Sequence, residues 1–142
     1  MLKEIGWKIL EILKAGTELG IPADNFYFGP PFTRKTPLCY VVWTGGPVRL
    51  ETFHEEVWLH GWDVVIVDSA KEDNVAEESV LDKIERVRQD LAANPTLDGL
   101  VRDSRATRME GETMTIGTEW GKPVEIIAGA RLTLQCEVTR EV

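Results

Sequence analysis

Few residues in this chain have the chemistry to bind a metal or move a proton. His54, Glu56 and His60 stand at alternate positions, so a continuous strand projects all three to one face, and imidazole and carboxylate are zinc ligand types. Structural zinc sites pair their ligands at closer spacing, which favours a solvated strand face or a subunit contact here. Asp68, Glu72 and Asp73 lack the EF-hand order and its glycine, and read as a loop and a helix cap. Cys39 and Cys136 both fall in strand-like apolar runs, where a cysteine acts as a small buried hydrophobe. Gly45-Gly46 reads as a turn, because neither GxxxxGK[ST] nor GxGxxG occurs anywhere. There is no GxSxG and no Cys/His pair inside a known signature. The expectation is a protein with no catalytic residue, no cofactor and no metal.

The elements that carry these residues follow from periodicity. Leu2, Ile5, Ile9, Ile12 and Leu13 recur at helical spacing opposite Lys3, Glu4, Lys8, Glu11 and Lys14, predicting an amphipathic helix from 2 to about 16. Its polar face mixes both signs, which favours packing on a sheet over lying on a membrane. Asn25 to Phe28 is a short aromatic strand. The loop Gly29-Pro-Pro-Phe-Thr-Arg-Lys-Thr-Pro37 must be exposed, since three prolines remove donors and fix φ. It suits either a partner that binds Pro-rich segments or a neighbouring subunit.

Leu38 to Trp43 is a strand, and Val48 to Phe53 with Glu56 to Val67 gives more, kinked near Gly61. The unbroken run Val64-Val-Ile-Val67 belongs in the middle of a sheet, covered on both faces. From Asp73, a candidate N-cap, to about Ala93 the period is again helical. Val75, Val80, Leu81, Ile84, Val87 and Leu91 form the apolar stripe, and Arg86 and Arg88 lie in the last turns. Asn94-Pro95 stops that helix and a turn leads into an extended segment, Leu100 to Met109. The last strand alternates most cleanly: Ala130, Leu132, Leu134, Cys136 and Val138 inward, Arg131, Thr133, Gln135, Glu137 and Thr139 outward. The fold class is therefore α+β, residues 1–142 forming a single domain of order α-β-β-β-α-β-β, a mixed or antiparallel sheet with two helices packed on it.

Composition narrows the function. A formal net charge of −8 lacks the basic footprint that gripping nucleic acid requires. No apolar run approaches the roughly 18 residues of a membrane span, and charges break up the first segment, so neither a signal peptide nor a membrane anchor is expected. The expected place of synthesis is a cytosol, whose reducing conditions disfavour a Cys39–Cys136 disulfide.

The order Trp62-Asp-Val-Val-Ile-Val67, acidic loop, amphipathic helix, then Leu91-Ala-Ala-Asn-Pro-Thr-Leu-Asp-Gly-Leu-Val101 resembles the tail terminator (tail completion) proteins of long-tailed bacteriophages. The turn Asn94 to Gly99 is its most distinctive piece, and the opening helix and closing strand extend the likeness over nearly the whole chain. The resemblance implies a virion structural protein located at the head-proximal end of the tail. Such a protein forms a homo-oligomeric ring of six copies that caps the tail tube, stops its elongation and offers the docking surface for the head. Its partners would be the tail tube protein and the head-tail connector, with DNA passing through the ring unbound. An acidic lumen would repel phosphates and let that DNA slide. A head-side neck protein, or a small accessory domain outside the virion, are the alternatives.

Subunit contacts are expected in two places. Arg102, Arg105 and Arg108 form a local basic strip, Arg102 and Arg108 on one face and Arg105 on the other; it either meets Glu77 or Glu78 of an adjacent copy or is ordinary solvated surface. The Gly-punctuated arm from Glu110 to Val124 carries Met114, Ile116 and Trp120. Three large apolar side chains suit docking on the neighbouring subunit, on the tail tube, or back on the chain's own core.

Overall fold

The apolar spacing at the start of the chain forms α1 (Leu2–Ala15) in a computed structural model that describes residues 2–32, 35–50, 55–70, 74–119 and 122–141. At 17, 49–50, 114–119, 122–124 and 140–141 only the backbone is described. After α1 come β1 (Phe26–Phe28), β2 (Leu38–Gly45), a short β3 (Val48–Leu50), β4 (Glu55–Ala70), α2 (Val75–Ala92), β5 (Asp103–Glu119) and β6 (Lys122–Glu141). The strands lie in the order β1-β2-β4-β6-β5, and β3 pairs with the first part of β4. The sheet is mixed, because β1 and β2 are parallel while the other ladders are antiparallel. This is the α+β domain the periodicity predicts.

Both helices lie on one face, α1 over β1 and β2, α2 over β4 and β6. Cross-strand partners share a face, so Cys39–Ile66–Ala130, Val41–Val64–Leu132 and Trp62–Leu134 form rows beneath the helices. Ile5, Ile9, Leu10 and Leu13 of α1 and Val80, Ile84, Val87 and Leu91 of α2 close the core from above. Ala130, Leu132, Leu134, Cys136 and Val138 are all buried, as their alternation requires, and Arg131 and Thr139 are exposed on the opposite face. Val64 to Val67 do sit in the central strand, β4.

Several boundaries differ from the expected ones. Asp73 lies outside the described residues, and α2 opens instead at Asn74, whose left-handed φ of 58° serves as the cap position; its amide donates to Glu78 Oε1 at 3.2 Å. Val75 and Leu81 are exposed, the buried stripe being Ala76, Val80, Ile84, Val87 and Leu91, so α2 is rotated from the expected orientation to face Ala76 inward. No cation occupies the last turn of α2, which runs to Ala92; Arg86 instead pairs with Glu18 at 2.7 Å and Asp90 at 3.1 Å. Asp68 belongs to β4, where its carboxylate accepts from the Ser79 hydroxyl and pairs with Lys83 at 3.8 Å, pinning α2 to the sheet. β4 runs unbroken past Gly61; the irregularity lies opposite, between Trp43 and Gly45 of β2.

The extended segment begins at Asp103, later than expected, because residues 94–102 wind a compact turn. Leu97, Asp98 and Gly99 all take positive φ, at 50°, 60° and 84°, an expensive conformation for a leucine. It persists because Leu97 is fully buried and Asn94 braces the turn: its Oδ1 accepts from the Asp98 amide at 2.9 Å and its Nδ2 donates to Asp98 Oδ1 at 2.7 Å. Once formed, the strand does not stop at Met109. β5 continues to Glu119 and β6 returns from Lys122, so the backbone of the expected arm is the outer half of a long hairpin that projects beyond the end of β4 at Ala70.

Candidate assembly surfaces

The residues that looked most like chemistry are not brought together. Glu56 and His60 do share one face of β4, but Glu56 accepts the Trp58 indole N–H at 2.8 Å and His60 turns into an aromatic group. His54 lies outside the described residues. Trp43 Nε1 donates to His60 Nδ1 at 3.3 Å, and the Trp58 ring meets His60 edge-on at 5.4 Å. Burial pushes the His60 pKa below its ordinary 6.5. Burial likewise pushes both thiols up to about 12, with Asp103 adding to the effect at Cys136, so neither is a thiolate at neutral pH. Cys39 and Cys136 lie in strands separated by β4 and are free. Among the described residues no three His, Cys, Asp or Glu side chains form a metal-binding group, and no helix is long and apolar enough to cross a membrane.

What the fold does present is surface. At the end of the sheet where β1 and β2 finish, the Trp7 and Phe28 rings lie 5.0 Å apart, tilted by 37°, and Phe28 meets the buried Trp62 edge-on at 5.8 Å. Trp7, Phe28 and Trp43 are all open to solvent there. The loop between β1 and β2 carries Phe32, which is entirely exposed. Its position follows from sequence: Pro30-Pro31 before it and Pro37 after it keep the segment out of both helix and ladder.

At the opposite edge, β5 has no partner on its outer side among the described residues, and a groove of about 300 Å³ runs between it and α2. Leu81 and Met109, 53% and 44% exposed, stand beside Val80 and Ile84 in that groove. The periodicity alone puts Leu81 in the apolar stripe and ends the extended segment at Met109. Leu81 is exposed by the rotation of α2, which no periodicity reports, and Met109 stands on the edge strand β5.

The arginine strip is arranged differently from the simple alternation. A bulge between Ala106 and Arg108 shifts the register, so Arg105 faces Gln135 and Arg108 faces Thr133, both on the helix-free face. Arg105 and Arg108 therefore share a side. Arg102 reaches Glu137 at 3.8 Å and Arg108 pairs with Glu110. Glu77 and Glu78 are exposed in the first turn of α2, over the same side of the sheet as β5. A contact between the strip of one copy and those glutamates of another would thus join like edge to like edge. The backbone of Met114 and Ile116 lies in β5, but their side chains and the whole of Trp120 are outside the described residues.

On the helix-free face Asp63 is a buried carboxylate. Asp63 accepts from the Thr133 hydroxyl at 2.8 Å and pairs with Arg131 at 3.2 Å, which holds β4 and β6 in register. Beside it a groove of about 340 Å³ is lined by Tyr40, Val65, Val67, Ile127 and Arg131 among others.

No family model and no curated protein matches the chain. Among solved structures it is similar to a chain of the "Virion of native gene transfer agent (GTA) particle", with a TM-score of 0.50 and 12% identity over 93% of this chain and 92% of that one. At that identity the likeness establishes a shared fold, over nearly the full length of both chains.

Proposed function

We propose that this chain is a structural component of a phage-like virion, acting as a tail terminator. The observation that carries this reading is the end-to-end fold likeness to a chain of a gene transfer agent virion. The element order and the Asn94 to Gly99 turn, which resemble the terminator family, support it. So does a surface that offers apolar and charged patches at its edges and leaves His60 and both cysteines buried. In this reading the protein is not an enzyme and holds no cofactor. Six copies close a ring on the head-proximal end of the tail tube, one face complementary to the tube and the other unlike it. Tube subunits then find no further template, and the second face receives the head through its connector protein. The net charge of −8 suits a ring whose inner wall repels DNA phosphates as the genome passes; a ring with a basic inner wall would overturn that part.

The Arg102, Arg105 and Arg108 strip, Glu77 and Glu78, and the hairpin residues Met114, Ile116 and Trp120 are the proposed contact residues. Like-edge contacts are self-complementary and make pairs, whereas a ring larger than two requires two different surfaces to meet. The arginine strip and the hairpin are therefore assigned to contacts with the tube or the connector. Electron microscopy of particles made without the gene tests the function. Abnormally long tails without heads are expected. Tailless filled or leaking heads would identify a neck protein instead, and normal particles would remove the virion role.

A further inference from the structure

We propose that the outer edge of β5 pairs with the same edge of a second copy of this chain, antiparallel and centred on Met109, to give a twofold dimer with one continuous sheet. β5 is a strand of 17 residues without a proline, and among the described residues its outer side has no ladder partner. An open edge of that length is a template for another strand, and a second copy supplies an identical one.

Charge selects both the partner and the register. With Met109 opposite Met109, Arg108 stands opposite Glu110 of the copy, and the bulge at Thr107 sets Arg105 opposite Glu112. All four lie on the helix-free face. Arg105 and Glu112 take no ion pair among the described residues, so each is available to the copy. Arg108 pairs with Glu110 of its own chain, and the twofold merges the two pairs into a cluster of alternating sign. Centring the pair on Glu110 or on Arg108 would set like charges directly opposite one another, which disfavours both shifts.

The helix side agrees with this register. Glu77 shares a groove with Thr113, and Arg88 shares one with Ser104, at opposite ends of α2. The twofold that sets Ser104 opposite Thr113 brings Glu77 of one copy beside Arg88 of the other, and neither has an ion pair among the described residues. Between those ends the exposed Leu81 and Met109 meet their counterparts near the axis and leave water. Pairing does not depend on the terminator reading. Where that reading holds, the dimer covers the arginine strip and is the form of the subunit before it joins a tail.

Sedimentation of the full chain at high micromolar concentration reads the pair. Arg105→Glu and Glu112→Arg, both at exposed positions, should each keep the wild-type melting temperature and weaken dimerisation at least about tenfold. An equal mixture of the two variants should dimerise again, because every 105–112 contact is then between opposite charges. Met109→Cys should form a 109–109 disulfide between copies under mild oxidation, identified by peptide mass, since both native thiols are buried. Single reversals that dimerise like wild type, a mixture that does not recover, or a wild-type chain that stays monomeric overturns the pair. A ring that forms without the 109–109 link overturns the pair and leaves the terminator reading standing. An intact dimer, with normal particles made in the absence of the gene, supports the pair and overturns the terminator reading.

Discussion

Trp43 Nε1 donates to His60 Nδ1, and the other imidazole nitrogen, Nε2, is buried with no hydrogen-bond partner. An accepting Nδ1 places the proton of the neutral ring on Nε2, leaving an unanswered donor in an aromatic environment. A second proton on this ring would break the Trp43 bond and bury a charge. Because the folded pKa lies below 6.5, the unfolded chain takes up a proton first as pH falls. The stability His60 contributes is complete above 6.5 and is lost between that value and its lower folded pKa. Urea midpoints should therefore drop from pH 7.5 to 5.5, and His60→Gln should reduce the drop. An unchanged slope in the variant would show that other groups govern it.

Asp98 acts in a lower window. The Asn94 side chain, and then Lys8 at 3.5 Å, hold its carboxyl below the ordinary 3.8. Its contribution is present above that value and disappears as pH falls through the folded pKa.

The turn that Asn94 braces has a leucine in the left-handed region, and only packing holds it there. Leu97→Ala removes a fully buried side chain and should cost about 2–5 kcal/mol in urea unfolding. Asn94→Ala removes both bonds to residue 98 at an exposed site and should cost less, about 1–2 kcal/mol. A larger loss at Asn94 than at Leu97 would mean that hydrogen bonding, and not burial, stabilises the turn.

Gly6 is a helix-interior glycine, where alanine ordinarily stabilises by about 1 kcal/mol. Here an added Cβ would stand 2.7 Å from Trp62, which is buried and cannot retreat, and would also clash with the Phe28 ring. Gly6→Ala should instead destabilise by about 1–3 kcal/mol. In combination with Phe28→Ala the losses should sum to less than their separate values, because the second change opens the space the first one needs. Additive losses in a double-mutant cycle would contradict the contact.

On the helix-free face, Asp63→Ala deprives the Thr133 hydroxyl and Arg131 of their shared acceptor and should cost about 1–3 kcal/mol. Asp63→Asn retains an acceptor for Thr133 and should cost less. Equal losses, measured in the same urea titration, would show that packing around residue 63 matters more than its hydrogen bonds.

The residues alone determined the elements and their inner faces. Period two in β6 and period 3.6 in α1 reflect local geometry, so Leu132, Leu134, Ile5 and Ile9 went to the core without knowledge of any neighbour. The end of the aromatic strand at Phe28 was also legible, because the prolines that follow act on their own backbone. Tertiary structure decided everything that depends on which neighbour arrives. The rotation of α2 that exposes Leu81, the bulge that sets Arg105 and Arg108 on one side, and the continuation of β5 past Met109 all follow from long-range pairing with β4 and β6. His60 shows the same division. Its strand and its face were readable, whereas its confinement between Trp43 and Trp58 depends on residues up to 17 positions away meeting across the sheet, which no local pattern encodes.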